Sequence, residues 1–366
     1  MKRPSVLFVA GTGQHSGKTL VSLGLVMEAL ANGHDVRYMK PVGQRTVDMG
    51  GEAVDEDVAL INTVCHLPTR PRSANPVTIP SGYTRKFLVD GGDTAQLRQA
   101  ILDAFEEVSA GADVVVVEGT GHAGVGSVIG LSNADVAQML GAEVVLVTGG
   151  GIGRPIDEFC LNEALFARSG VRIFGVVCNK VMPDKLEYVR EPIAKWMAAH
   201  GVRLLGLIPF EPLLTEITVG QIAEETGADI ISGEEHLDCR IRRVIVGAEP
   251  PHRFLEAYGP GVMALIPGDR DDLVLAAVSA HHVSRGEPNS AVCLTSGILP
   301  HPSVLEIVRA TAIPVIAVKD GMFAAASRIS DMVAKMQSSE HEKVQKAHQL
   351  IKQHFDFSAL QAVLGY

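Results

Sequence analysis

The sequence predicts an α/β protein: a doubly wound, mostly parallel sheet around a P-loop, followed by a second, smaller α/β domain. Three observations predict it. Short Val- and Ile-rich runs alternate with helix-like segments as far as about residue 210. Those runs do not alternate apolar with polar residues, so they suit strands buried on both faces, as in a parallel sheet covered by helices. The first run feeds a glycine-rich turn, Gly11-Thr12-Gly13-Gln14-His15-Ser16-Gly17-Lys18-Thr19, and a helical segment follows.

The expected strands of the first part are 6–10, 36–39, 114–117, 144–147, 173–178 and 204–208. Helical patterns lie around 20–31, 94–109, 134–140, 157–169 and 187–200. Such alternation implies right-handed crossovers and a ligand crevice at the carboxyl ends of the strands. Pro209, Pro212, Thr215 and Thr218 then punctuate a connector. A second α/β stretch follows, with strands expected at 244–246, 262–266, 291–294 and 315–318 and helices at 252–257, 273–279 and 303–310. The tail is helix-like, with mixed charges and an apolar cluster near its end. The expected divisions are 1–212, 218–333 and a C-terminal helical tail, 338–366.

A chain of 366 residues is long enough for two domains, and 46% hydrophobic against 20% charged residues fits well-filled cores. The net charge of −10, without a basic block, argues against nucleic-acid binding. Cys65, Cys160, Cys178, Cys239 and Cys293 form no C-x-x-C pair, which argues against zinc and against a disulfide framework. Lys2 and Arg3 precede an apolar run too short for a signal peptide, and no stretch reaches the roughly 20 apolar residues of a membrane span. A cytoplasmic location and no membrane partner are expected.

A strand, a glycine-rich turn ending in Gly-Lys-Thr and a helix form the setting that phosphate binding requires. Backbone N–H groups converge on phosphate oxygens, and the helix N-terminus adds about half a positive charge. Lys18 would reach the terminal phosphates and the Thr19 hydroxyl would bind Mg²⁺. The first expected glycine falls on Thr12, with Gly11 one place earlier. The competing reading is an ordinary βα turn.

Three strand ends add chemistry. Lys40 closes the second strand, where a lysine stabilises charge on a transferred phosphoryl group or is simply solvated. Glu118 ends a four-valine strand and is placed to serve Mg²⁺ or to cap the next turn. Asn179 follows the strand over 173–178, and its amide suits a purine edge or a turn.

Together these residues resemble dethiobiotin synthetase over roughly 4–210. The shared pieces are Gly11 to Thr19, Lys40-Pro41-Val42, Val117-Glu118-Gly119-Thr120-Gly121, Asn179 and Leu205-Gly206-Leu207-Ile208-Pro209. The resemblance implies that Gly13, Gln14, His15, Ser16, Gly17, Lys18 and Thr19 wrap ATP. It implies that Thr19, Asp57 and Glu118 hold Mg²⁺, that Lys18 and Lys40 act on the phosphoryl group, and that Asn179 meets the base. Asp57 is preferred over Asp55 by a gapless match to the apolar residues that follow. Gln44 and Gly119 fall on the substrate side. Gln14-His15 replace Thr-Glu of that family and Gln44 replaces a serine, so dethiobiotin synthesis is not expected and the small-molecule substrate stays unnamed. A homodimer is expected.

The second stretch resembles the domain family named for Asp-Arg-Thr-Gly-Gly, through Ile266-Pro267-Gly268-Asp269-Arg270-Asp271-Asp272, though Thr-Gly-Gly itself is absent. Asp269 and Arg270 equally suit a surface ion pair. That domain pairs with a dethiobiotin-synthetase-like domain in some phosphate acetyltransferases, whose catalytic domain is not expected within 366 residues. The pair also resembles stand-alone proteins described as cobyrinic acid diamide synthase-like, but no cysteine has a glutaminase setting. Two functions are open. One is Mg-ATP-dependent activation of a carboxylate or carbamate. The other is nucleotide-responsive regulation in which the second domain senses a ligand or partner.

Overall fold

The computed structural model describes residues 3–283 and 290–364. Lys2, residues 284–289 of the second stretch and residues 365–366 of the tail lie outside the described residues. Six strands build the first sheet: β1 (Ser5–Gly11), β2 (Val36–Met39), β3 (Val114–Glu118), β4 (Glu143–Thr148), β5 (Ile173–Val181) and β6 (Arg203–Pro209). Their order is β6-β5-β4-β1-β3-β2, and every pairing is parallel. All five residues of β3 are buried, as its unbroken valine run requires under two helical layers. From β1 the chain leaves toward β2 on one side and later toward β4 on the other, which puts the topological switch at the carboxyl end of β1. Parallel sheets hold ligands at that place.

Between β2 and β3 the structure adds elements that the sequence pattern did not show. An antiparallel hairpin pairs Thr46–Met49 with Glu52–Asp55. It turns through Gly50 and Gly51, both at positive φ. The helix Glu56–Cys65 follows at once, and the Asp55 side chain caps it by accepting from the Asp57 amide at 3.1 Å.

The chain divides into two compact units, Met1–Glu211 with Met336–Tyr366, and Pro212–Lys335. The second unit holds β7 (Asp229–Ser232), β8 (Arg243–Val246), β9 (Val262–Pro267), β10 (Ala291–Thr295) and β11 (Val315–Ala317). Their order is β7-β11-β10-β9-β8, parallel except for β7 against β11. The architecture is thus the α/β class that the sequence predicts, a mostly parallel sheet followed by a second, smaller one.

The tail that sequence reading sets apart, 338–366, belongs to the first unit. Helix His341–His354 buries Val344, Ala347, Leu350 and Ile351. It lies on the P-loop helix Lys18–Ala31 at Gly24, where an added Cβ would stand 2.5 Å from the Ile351 Cβ. Beyond it Phe355 bridges to Gly206, and the Asp356 amide donates to the Leu205 carbonyl at 2.6 Å. An amphipathic helix shows its apolar face in sequence, but not the surface that covers it. No helix among the described residues is long and apolar enough to cross a membrane.

Candidate functional site

The turn after β1 is built by close approach. Gly17 lies at φ 98 and begins the helix Lys18–Ala31 without a side-chain cap, so the first-turn N–H groups have no side-chain oxygen to meet. An added Cβ at Gly17 would fall 1.9 Å from Asn179 Nδ2, and one at Gly11 would fall 2.4 Å from Ser16 Oγ. The loop is tied to the sheet by the Gly11 amide on the Gly121 carbonyl at 3.2 Å and the Thr12 amide on the Val147 carbonyl at 2.9 Å. Thr12 Oγ1 donates to Glu158 Oε2 at 2.7 Å. Ser16 Oγ is buried and has no hydrogen-bond partner among the described residues. Gln14 and His15 are exposed at the mouth, with Gly13 half-buried beside them.

Oxygen donors and lysines converge behind this loop. The Thr19 hydroxyl stands 2.9 Å from Glu118 Oε1 and 3.1 Å from Asp57 Oδ1. Its single hydrogen serves one of them at a time. Tyr38, fully buried on β2, donates to Glu118 Oε2 at 3.0 Å. Lys40 Nζ pairs with Asp55 Oδ1 at 2.7 Å and with Asp57 Oδ2. The other Asp55 oxygen accepts the Gln44 amide at 3.0 Å. Asn75 supports this corner, accepting from the Asp55 amide at 3.0 Å and donating to the Lys40 carbonyl at 2.8 Å.

Burial governs the electrostatics. Burial, then the neighbouring Asp57 charge, push the Glu118 carboxyl up to about 7 against the pull of Lys40 and Lys18. Lys18 is held below the usual lysine range, chiefly by burial. Burial alone would lower Lys40 too, but Asp57, Glu118 and Asp55 outweigh it and hold the ammonium well above that range. Burial beside Glu118 raises the Tyr38 phenol strongly.

The structure therefore brings Lys18, Thr19, Lys40, Asp57 and Glu118 into one cluster, with Lys40 and Glu118 buried and the other three half-buried. Asp55 joins it as the Lys40 partner, so both aspartates of Asp55-Glu56-Asp57 serve the same corner. Asn179 lies at the back of the loop, where its Nδ2 donates to the Ser16 carbonyl at 3.0 Å and its Oδ1 accepts the Lys180 amide at 2.8 Å. The Gln44 residue is exposed while its amide is tied to Asp55. Gly119 has a packing reason, since an added Cβ would fall 2.6 Å from Asn133 Oδ1 and 2.7 Å from Phe8 Cε1. Tyr38, Asn75 and Glu158 escaped sequence reading. Tyr38 carried one signal, a phenol in a strand expected to be buried on both faces. The other two lie far in sequence from the groups they hold.

Residues 5–218 match the family model of the AAA domain, and residues 221–332 match that of the DRTGG domain. Phosphate acetyltransferase of Pseudomonas aeruginosa is 27% identical over 379 residues, covering 98% of this chain and 52% of that protein. Phosphate acetyltransferase of Deinococcus radiodurans is 27% identical over 335 residues, covering 88% and 46%. The chain spans about half the length of the curated relatives it matches. Among solved structures, the MinC:MinD complex of Aquifex aeolicus aligns with a TM-score of 0.37 at 12% identity, over 57% of this chain and 83% of that one. MinD of Pyrococcus horikoshii complexed with Mg-ADP aligns at 0.36 and 16% identity, over 58% and 83%.

Proposed function

The chain belongs to the AAA domain family, and from that premise we propose that its first unit binds Mg-ATP, with residues 11–19 around the phosphates. One observation carries the reading: Thr19, Asp57 and Glu118 converge at the foot of a turn whose helix N-terminus has no side-chain cap. Hard oxygen donors of this kind suit Mg²⁺, which takes one or two carboxylates and keeps phosphate and water as its other ligands. Among the described residues no group of three or more His, Cys, Asp or Glu side chains could hold a metal by itself. The partnerless Ser16 Oγ inside the loop also fits a site completed by an anion's oxygen. Bound Mg²⁺ would neutralise charge on the phosphates. Lys18 would face the terminal phosphates, and Tyr38 would orient Glu118. Lys40 would support a transferred phosphoryl group once Asp57 turns toward the metal.

The finer reading is phosphoryl transfer to a carboxylate or carbamate, as the likeness to dethiobiotin synthetase implies. Gln14, His15 and Gln44 differ from that family, and mismatched polar partners cost orders of magnitude in turnover. Purified protein given diaminopelargonic acid, bicarbonate and Mg-ATP is therefore expected to release little ADP. Rapid release would make the chain a dethiobiotin synthetase. A second reading is a nucleotide-responsive regulator. It is favoured by the pairing of Lys40 with Asp55 and Asp57 inside its own corner, and by relatives that are phosphate acetyltransferases of twice the length. Calorimetry with ATP, with and without Mg²⁺, tests the common premise. Absence of Mg²⁺-dependent ATP binding by folded protein would defeat both readings. The expected homodimer belongs to the proposal and is tested by sedimentation velocity.

A further inference from the structure

We propose that the second unit holds a phosphate site of its own, in the crevice at the carboxyl ends of β10 and β11. Its ligand is a small phosphorylated molecule, taken by the Thr295 hydroxyl and by the N-terminus of the helix Met322–Ser330. Such a site needs nothing from residues 11–19 and binds whether or not they take a nucleotide.

A parallel sheet opens a crevice where neighbouring strands send the chain to opposite faces. In the second sheet that happens between β10 and β11. After β10 the chain returns through the helix Pro302–Arg309, whose Val304 and Val308 pack on the face that carries Val292 and Leu294. After β11 it enters the helix Met322–Ser330, whose Ala325 and Ile329 pack on the other face, with Ala291 and Cys293. The turns that leave the two strands meet: the Ser296 amide donates to the Asp320 carbonyl at 2.7 Å, and the Gly297 amide to the Val318 carbonyl at 3.0 Å. Successive strand residues point to opposite faces, so Thr295 shares the face of Ala291 and Cys293. That is the face on which the helix Met322–Ser330 packs.

Two independent features of this crevice lack a partner. Thr295 is 0% exposed, and its Oγ1 has no hydrogen-bond partner among the described residues. A buried hydroxyl left in that state costs free energy that an acceptor at the site would return. The helix Met322–Ser330 begins at Gly321 with no side-chain cap and no acidic residue in its first turn. Its leading N–H groups and their partial positive charge are therefore uncompensated. Nothing lies within 4 Å of a Cβ added at Gly321, so the space before that helix is open. Lys319 is exposed just before it and adds a cation. Asp320 is already engaged, its Oδ2 accepting from Arg328 Nη1 at 3.1 Å. A hydroxyl, a row of N–H groups and an ammonium together suit an anion. A phosphoryl group offers them three acceptor oxygens where a carboxylate offers two. Ile298 and Phe323 stand 43% and 87% exposed on either side, so the body of the ligand meets apolar surface. Contact with Thr295 requires the exposed turns 296–297 and 319–321 to part.

The test uses the full chain, with inorganic phosphate and phenyl phosphate as separate probes, followed through the backbone amide resonances of Gly297, Gly321 and Met322. Both probes should shift these resonances saturably, phenyl phosphate at the lower concentration because its ring meets Phe323. Sodium acetate at equal ionic strength should not. Thr295→Val keeps the shape and removes the hydroxyl. It should weaken phosphate at these resonances about tenfold, while the melting temperature without ligand holds or rises because an unpaired buried hydroxyl has gone. Gly321→Asp supplies the missing cap, so it should raise the melting temperature and weaken phosphate by about tenfold or more. Four results would each overturn the site. They are phosphate shifts confined to residues 11–19, no shift at 297, 321 and 322 by roughly 50 mM phosphate, where a millimolar site is already filled, acetate acting as well as phosphate, and an unchanged affinity in folded Thr295→Val. The wild-type resonances decide alone if either variant fails to fold.

Discussion

Replacing Gly24 by alanine places a methyl group where the C-terminal helix already lies. The added Cβ would stand 2.5, 2.5 and 2.6 Å from Cβ, Cγ1 and Cγ2 of Ile351. Ordinary carbon contacts are about 3.5–4 Å, so the two helices must part by roughly 1 Å. Ile351 is wholly buried and, being β-branched, cannot swing aside. Overpacking of this kind costs about 1–3 kcal/mol. Removing a mid-helix glycine returns about 1 kcal/mol. Gly24→Ala should therefore destabilise the first unit by roughly 1 kcal/mol rather than stabilise it. Ile351→Ala alone should cost about 2–5 kcal/mol. In the double variant the new methyl enters the space left by Ile351, and the combined loss should fall short of the sum by about 1–2 kcal/mol. Trp196 is the single tryptophan and packs edge-on against Phe159 at 5.7 Å. Its fluorescence during urea unfolding reports on this unit. Additive losses, or a Gly24→Ala protein more stable than wild type, would refute the packing of residues 341–354 on the P-loop helix.

Lys18→Ala deletes the charge that faces the terminal phosphates, and ATP affinity measured by calorimetry should drop roughly tenfold or more. Glu118 titrates at about 7 in the folded protein against an ordinary 4.5, so between those values the folded state holds a proton that the unfolded chain has lost. Its contribution to stability is complete below pH 4.5 and disappears as the pH rises through 7. Denaturation midpoints of Glu118→Gln should therefore lack that decline, and a parallel pH profile in both proteins would contradict the assignment. Tyr38→Phe leaves Glu118 Oε2 without its buried donor and should cost about 1–2 kcal/mol in thermal unfolding, together with weaker Mg²⁺ dependence of ATP binding. A protein ending at residue 211 should lose the cooperative Trp196 transition, and joining residues 336–366 back to it should restore the transition; recovery without the tail would show that the tail is dispensable.

Long, strongly patterned elements were legible in the sequence. The valine run of β3 lies fully buried between β1 and β2 because only a doubly covered strand can be apolar on both faces. The Gly-Lys-Thr turn follows β1 because a glycine at positive φ must join strand to helix there. The hairpin of residues 46–55 was not legible. Its strands are short and mostly exposed, so no apolar alternation marks them.

What the sequence by itself determined is the set of elements governed by local rules: periodicity, glycine at forced turns, and the residue types that a phosphate site needs. The tertiary structure alone decided which distant groups meet. It joined Tyr38 to Glu118 across 80 positions and Asn179 to Ser16 across 163, and it laid Ile351 on Gly24. The physical reason is that a buried hydrogen-bonding group is stable only with a partner, and a partner is fixed by how helices and strands pack rather than by their spacing along the chain. For that reason Asn179 reads in sequence only as a residue at a strand end, whereas the fold sets its amide against the Ser16 carbonyl and the Lys180 amide.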